Sequence, residues 1–339
     1  MRRGAPRVLL FRNDRLGDLV LALPTLDALR RAFPQARLGM LVSAYGAPLV
    51  EKDPRLDEVV VDSRPDTLAR LRAGGWEWAL LLWATWSNAW LARRAGIPNR
   101  VGPSARPFSA LLTHRLPIRR SRGEKSEAEY NLDHLAPLGL EEPRGEAALF
   151  LPPEDRREAA RWMRAKGLKP AAGRPLVVLH PGTGGSSLRW GAGHFARLGA
   201  LLRRRHGATL LVSGGEGEKA LLREVAGGIH PRPAVLEGEL PLRAFAALIS
   251  RARLFVSAAT GPMHIAAACG VPTLGIYPPI VPMSPLRWRP FGNRHAVLSP
   301  PGLGVTCPSC RGRACPFYDC MDRVTPEGAL DAAAFLMRS

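Results

Sequence analysis

Lysine is nearly absent from this basic chain. Lys52, Lys125, Lys166, Lys169 and Lys219 are the only lysines among 339 residues of formal net charge +19, so the charge is almost wholly arginine's. Such a surface attracts phosphates of any kind, in nucleic acid, anionic lipid headgroups or a nucleotide diphosphate. A general use of arginine in place of lysine accounts for the same count. No aromatic-interleaved basic block or nucleic-acid fingerprint accompanies the charge, so nucleic acid is not an expected partner. Long apolar runs are also missing. Ala79 to Trp83 is too short for a membrane span and reads as a buried strand. The chain opens with two arginines and no apolar signal core, and is expected to stay in the cytoplasm. No internal repeat or low-complexity tract is present. Neither half has a Gly-x-Gly-x-x-Gly turn after its first strand or a Walker-type loop, which argues against a dinucleotide dehydrogenase and a P-loop enzyme.

What is present is an alternation of strand-like and helical patterns from end to end. It predicts an α/β protein with parallel sheets wrapped by helices, in two doubly wound halves. In the first half, strands are expected at Val8–Phe11, Arg37–Val42, Glu58–Val61 and Trp78–Trp83. Helices are expected near Leu19–Arg31, Tyr45–Glu51, Thr67–Arg72 and Asn131–Leu138. A new unit starts around Pro152 with the amphipathic helix Glu154–Lys166, and strand Leu176–His180 opens a second alternating series. That series runs to a strand at Thr273–Tyr277, and a cleft between the halves is the expected active site.

Four segments carry candidate chemistry. The stretch Arg12 to Pro24, opening Arg12-Asn13-Asp14-Arg15-Leu16-Gly17-Asp18, lies at a strand-to-helix turn, where open α/β sheets place ligands; Asp18 is either a functional carboxylate there or an N-terminal helix cap. His180-Pro181-Gly182-Thr183-Gly184-Gly185-Ser186-Ser187-Leu188-Arg189-Trp190 is a second such turn. Its glycines allow close backbone approach, its hydroxyls suit phosphate oxygens, and Arg189 adds a fixed cation; an ordinary glycine-rich connection is the alternative. Glu218, after Gly214-Gly215, is able to bond ribose hydroxyls or serves as a first-turn helix acid. Thr260, Gly261, Pro262, Met263 and His264 begin a small-residue helix, a ready anion site, with His264 either a core residue or a ligand contact.

Together these segments resemble glycosyltransferase family 9, which includes the ADP-heptose:lipopolysaccharide heptosyltransferases. The resemblance runs in order through Asp14–Asp18 with Pro24, Phe33-Pro34-Gln35-Ala36, His180-Pro181-Gly182, Trp190, Gly214-Gly215, Thr260–His264, Gly270-Val271-Pro272-Thr273, Cys320-Met321 and Thr325-Pro326-Glu327. It implies a GT-B architecture: an acceptor-side Rossmann-like domain over 1–152, a nucleotide-sugar-binding domain over 153–325, and a C-terminal helix over 326–339 returning to the first domain. It implies an inverting transfer, independent of metal and of any cofactor, of a heptose from a nucleotide-diphosphate donor, ADP-heptose in the first instance. The acceptor would be a cell-envelope glycolipid or glycan, met at the inner membrane face, with the basic surface serving an anionic acceptor. Asp18 would be the general base. Thr183, Ser186, Ser187, Arg189, Glu218 and Thr260 to His264 would hold the donor.

The chain departs from the family's pattern twice. Leu188-Arg189-Trp190 stands where the family often has Lys-x-Trp, and Ala259 where it often has an aspartate before Thr-Gly. These departures leave open another sugar nucleotide, or a catalytically silent protein that binds sugar nucleotides or polyanions. Cysteine is sparse, and four of the five, Cys307, Cys310, Cys315 and Cys320, lie in one short segment. Zinc, two disulfides and free thiols are the alternatives there, read as a structural clasp rather than a catalytic group.

Overall fold

The computed structural model describes residues 5–63, 66–168, 174–292, 294–304 and 307–338. The chain divides into two units at Phe150 and Leu151, two residues from the expected boundary. The first unit runs β1 (Arg7–Arg12), α1 (Leu16–Val20), α2 (Leu23–Ala32), β2 (Arg37–Val42), α3 (Ala47–Val50), β3 (Glu58–Val61), α4 (Thr67–Ala73), β4 (Trp78–Leu80), α5 (Trp86–Arg94), β5 (Asn99–Pro103), β6 (His114–Leu116) and α6 (Glu127–Leu132). Its six-stranded sheet has the order β3-β2-β1-β4-β5-β6, parallel throughout. β1 is central and buried from Val8 to Arg12, as a strand covered on both faces must be.

Some elements differ from the sequence expectation, and the causes are local. The helix expected over Leu19–Arg31 is two helices, broken at Leu21 and Ala22 ahead of Pro24, which has no amide to continue the first. α5 escapes the apolar period because its buried residues are Asn88, Ala89 and Ala92 while its tryptophans face out. β5 and β6 escape it because they are short and carry polar residues. α6 begins earlier than the apolar pattern shows, at a capping box in which Ser126 and Glu129 each accept the other's backbone amide, at 3.2 and 2.7 Å.

The second unit runs α7 (Pro153–Ala165), β7 (Leu176–His180), α8 (Ala192–His206), β8 (Thr209–Gly214), α9 (Lys219–Gly227), β9 (Ala234–Glu237), α10 (Leu242–Ile249), β10 (Leu254–Ala258), α11 (Gly261–Ala268), β11 (Thr273–Ile276), α12 (Pro285–Trp288), β12 (His295–Leu298) and α13 (Pro326–Met337). Its six parallel strands have the order β12-β11-β10-β7-β8-β9. In each unit the strand order reverses beside the first strand, between β1 and β4 and between β7 and β10. Such reversals open the ligand crevice of a doubly wound sheet at the carboxyl ends of its strands.

One expectation is corrected. The C-terminal helix was expected to return to the first domain, but α13 packs on α8 and on β10, β11 and β12. Ala329, Leu330, Ala333 and Leu336 are buried in the second unit's core beside Phe195 and Leu198, and that apolar stripe sets its place. Among the described residues no helix is long and apolar enough to cross a membrane.

Candidate active site

In the first unit the site begins with a buried arginine. Arg12 closes β1 and is 1% exposed, so each of its N–H groups needs a partner. Nη1 donates to the Leu82 carbonyl at 2.6 Å and Nε to the Asp18 carbonyl at 3.0 Å. Nη2 donates to Asp18 Oδ1 at 2.7 Å and to Glu127 Oε1 at 3.0 Å. Asp14 Oδ1 lies 3.3 Å from Nε, and Arg120 pairs with Glu127 at 3.1 Å. Three carboxylates from two distant segments thus surround one guanidinium.

α1 starts from Arg15 as its N-cap, without a side-chain cap bond, and carries Asp18 in its first turn; the Asp18 carboxylate is held by Arg12 and is 14% exposed. Burial alone would lower the pKa of Arg12, but Asp18, Asp14 and Glu127 reverse this and raise it. Burial pushes the Asp14 carboxyl up to about 7, against the pull of Arg12 and with the charge of Asp18 adding to the rise. Asn13 extends the cluster through paired amide bonds with Asn88 and a 2.6 Å bond to Asp62. A cavity of about 640 Å³ lined by Pro6, Ala36 and Trp78 lies at the amino ends of the strands, opposite Asp18.

In the second unit the switch point gathers the other expected residues. Ser186 Oγ donates to the Thr183 carbonyl at 2.7 Å and to the Ala259 carbonyl at 3.3 Å, joining the loop after β7 to the one after β10. The Glu218 carboxylate accepts from the Gly184 amide at 3.3 Å and from the Gly215 amide at 3.0 Å. A Cβ at Gly182 would fall on that carboxylate, so glycine there leaves Glu218 room to take this position. The buried Ser187 Oγ, Thr260 Oγ1 and His264 Nδ1 have no hydrogen-bond partner among the described residues. Buried polar atoms of this kind mark a place where a ligand or water completes the bonding.

The remaining expected residues take separate roles. His264 is neutral, its pKa lowered to about 4 by burial. Thr260 does not cap α11 with its side chain; Pro262 has no amide, and Met263 donates its own to the Thr260 carbonyl at 3.2 Å, leaving that of Gly261. The Met263 side chain is fully buried, with Tyr277 Oη donating to its sulfur, and belongs to the core. Leu188 packs on the core, whereas Arg189 is exposed and makes no ion pair or hydrogen bond among the described residues. Trp190 is scaffold: its Nε1 donates to the Val324 carbonyl at 2.8 Å and its ring stacks on His194.

The four clustered cysteines and Cys269 are free. Cys307, Cys310, Cys315 and Cys320 line a cavity of about 330 Å³ with Leu188, Ile280 and Phe317. Among the described residues no three His, Cys, Asp or Glu are arranged to hold a metal ion. Sequence reasoning included Arg12 in its first segment without giving it a role, and missed Glu127. A lone arginine ending an apolar strand was a visible signal for the first, and the Ser126–Glu129 spacing for the helix that brings in the second.

Comparisons with known proteins identify the family and the fold. The family model described as "Glycosyltransferase family 9 (heptosyltransferase)" matches residues 67–318. The Haemophilus influenzae protein named "Putative glycosyltransferase" is 30% identical over 87% of this chain and 89% of its own length. The crystal structure of a family 9 glycosyl transferase from Veillonella parvula superposes with a TM-score of 0.83 at 20% identity, covering 99% of this chain and 98% of that one. Escherichia coli ADP-heptose LPS heptosyltransferase II superposes with a TM-score of 0.78 at 19% identity, over 98% of both chains.

Proposed function

The chain belongs to glycosyltransferase family 9, and from that premise we propose that it moves a heptose from ADP-heptose to a saccharide acceptor of the cell envelope, with inversion at the anomeric carbon. The observation that carries the reading is the hold of Arg12 on Asp18, which fixes an accessible carboxylate at the first unit's switch point. Asp18 takes the proton of an acceptor hydroxyl as that oxygen forms its bond to the anomeric carbon. The bond from that carbon to the β-phosphate oxygen breaks, and ADP leaves with the electron pair. The growing phosphate charge meets Arg189, the Thr183–Ser187 loop and the Gly261 amide, with Ser187, Thr260 and His264 offering their unpartnered atoms. Glu218 keeps acceptor capacity beyond its two amide bonds and takes the ribose hydroxyls. The acceptor is a lipopolysaccharide core saccharide, reached at the inner membrane face.

Asp18→Asn tests this. Turnover should fall by about 100-fold or more, the scale of general-base catalysis, while the thermal shift with ADP is unchanged. Full turnover in this variant removes Asp18 from the mechanism. A second reading keeps the mechanism and changes the sugar, because Ala259 supplies no carboxylate beside the donor. A thermal-shift screen of ADP-heptose against other ADP-, UDP- and GDP-sugars separates the two.

A further inference from the structure

Helix α5 is built inside out. Its buried face holds Asn88, Ala89 and Ala92, while Trp86 is 58% and Trp90 52% exposed. Trp83, just before it, is 44% exposed, and Tyr45 is 68% exposed. Exposed large aromatics grouped in this way mark contact surfaces. Their placement says what they meet. Trp83 and Trp86 follow β4 and Tyr45 follows β2, and these two strands flank β1 in the sheet. The aromatics therefore sit on the carboxyl-end rim to either side of the Asp18 turn, with the tryptophans at the strand-order reversal.

The rim is fixed in place. The Trp83 amide donates to the Phe11 carbonyl at 3.0 Å, and its carbonyl accepts from Asn88 Nδ2 at 2.8 Å. The preceding carbonyl, of Leu82, is bound by Arg12, which also holds Asp18. Trp86 is backed by Phe108, edge to face at 6.3 Å between ring centroids. We propose that Tyr45, Trp83 and Trp86 form a stacking platform for the sugar rings of the acceptor, continued along α5 by Trp90. The proposal rests on the assignment of the acceptor hydroxyl to Asp18. A sugar ring turns a C–H face to an aromatic ring and keeps its hydroxyls for water and polar groups, so half-exposed rings beside a proton acceptor suit it. Arg15, exposed between Asp14 and Asp18 and without an ion pair among the described residues, supplies the complement to acidic substituents.

The test uses the full chain carrying Asp18→Asn, so that binding is read without turnover, with lipid-free lipopolysaccharide core oligosaccharide as the probe. Calorimetry should give saturable binding. Trp83→Ala and Trp86→Ala should each weaken it by roughly 5- to 10-fold, the scale of an aromatic contact, with Trp86→Phe restoring most of the loss. ADP affinity should not move, and with Asp18 intact the change should fall on acceptor KM rather than kcat. No saturable binding, or binding indifferent to both alanine variants, overturns the proposal. So does loss on the alanine variants of sedimentation with phosphatidylcholine–phosphatidylglycerol vesicles but not of oligosaccharide binding, which would assign the aromatics to the membrane. A wrong base assignment shows separately, as turnover retained by Asp18→Asn.

Discussion

Replacing Arg12 by methionine tests whether the acid cluster of the first unit is one electrostatic body. The substitution keeps an unbranched side chain and removes every bond that the guanidinium makes. It leaves Glu127, whose side chain is 2% exposed, paired with Arg120 but no longer with Arg12, and it takes the guanidinium donor from Asp18 Oδ1 and from two carbonyls. Breaking a buried ion pair from one side costs about 3–5 kcal/mol. In a unit of this size each kcal/mol lowers the melting temperature by about 2–4 °C, so the drop should be roughly 6–20 °C. Adding Glu127→Gln removes the stranded charge and should recover at least about 1 kcal/mol relative to the sum of the single changes. Scanning calorimetry on the four proteins of the cycle gives the coupling. A single-variant loss below about 1 kcal/mol, or additivity within about 0.5 kcal/mol, would refute the account.

Asp14 gives a pH signature. Its folded pKa of about 7 exceeds the ordinary 3.8, so the folded chain holds the extra proton between these values and stability falls as pH rises from about 4 to 7, by at most about 4 kcal/mol. Asp14→Asn should remove that slope in denaturant titrations at several pH values. It should leave the opposite slope of His134, His180 and His264, whose pKa values burial lowers to about 3, 4 and 4 and whose contribution is lost as pH falls below 6.5. Arg189→Ala should weaken ADP by roughly 10-fold or more, the worth of a charged hydrogen bond, and adenosine hardly at all; equal losses by calorimetry would show that Arg189 does not meet the phosphates. A thiol titration in denaturant should find all five cysteines free, with Cys310, the exposed one of the cluster, reacting first in the native protein; a lower total would reveal disulfides.

The sequence by itself determined the layered α/β architecture and marked the turns that carry the candidate chemistry. Central parallel strands are buried on both faces, so β1, β7 and β10 are built on the apolar runs Val8–Phe11, Leu176–Leu179 and Leu254–Val256, and the turns after them carry the glycines, hydroxyls and acids of the candidate site. Those signals are local. Elements whose burial is decided by distant partners were not legible: α5, because its buried residues are small or polar and its tryptophans face out, and β12, whose residues are each half-buried. The destination of α13 was decided by the apolar groove against α8, since an amphipathic stripe states that it will be covered and not by what. The surroundings of Asp18 were decided the same way. In sequence a first-turn aspartate shows none of the side chains it will meet. Arg12 and Glu127, brought together across 115 positions, form the cluster that holds it, because a buried guanidinium must find carboxylates and only the folded chain decides which.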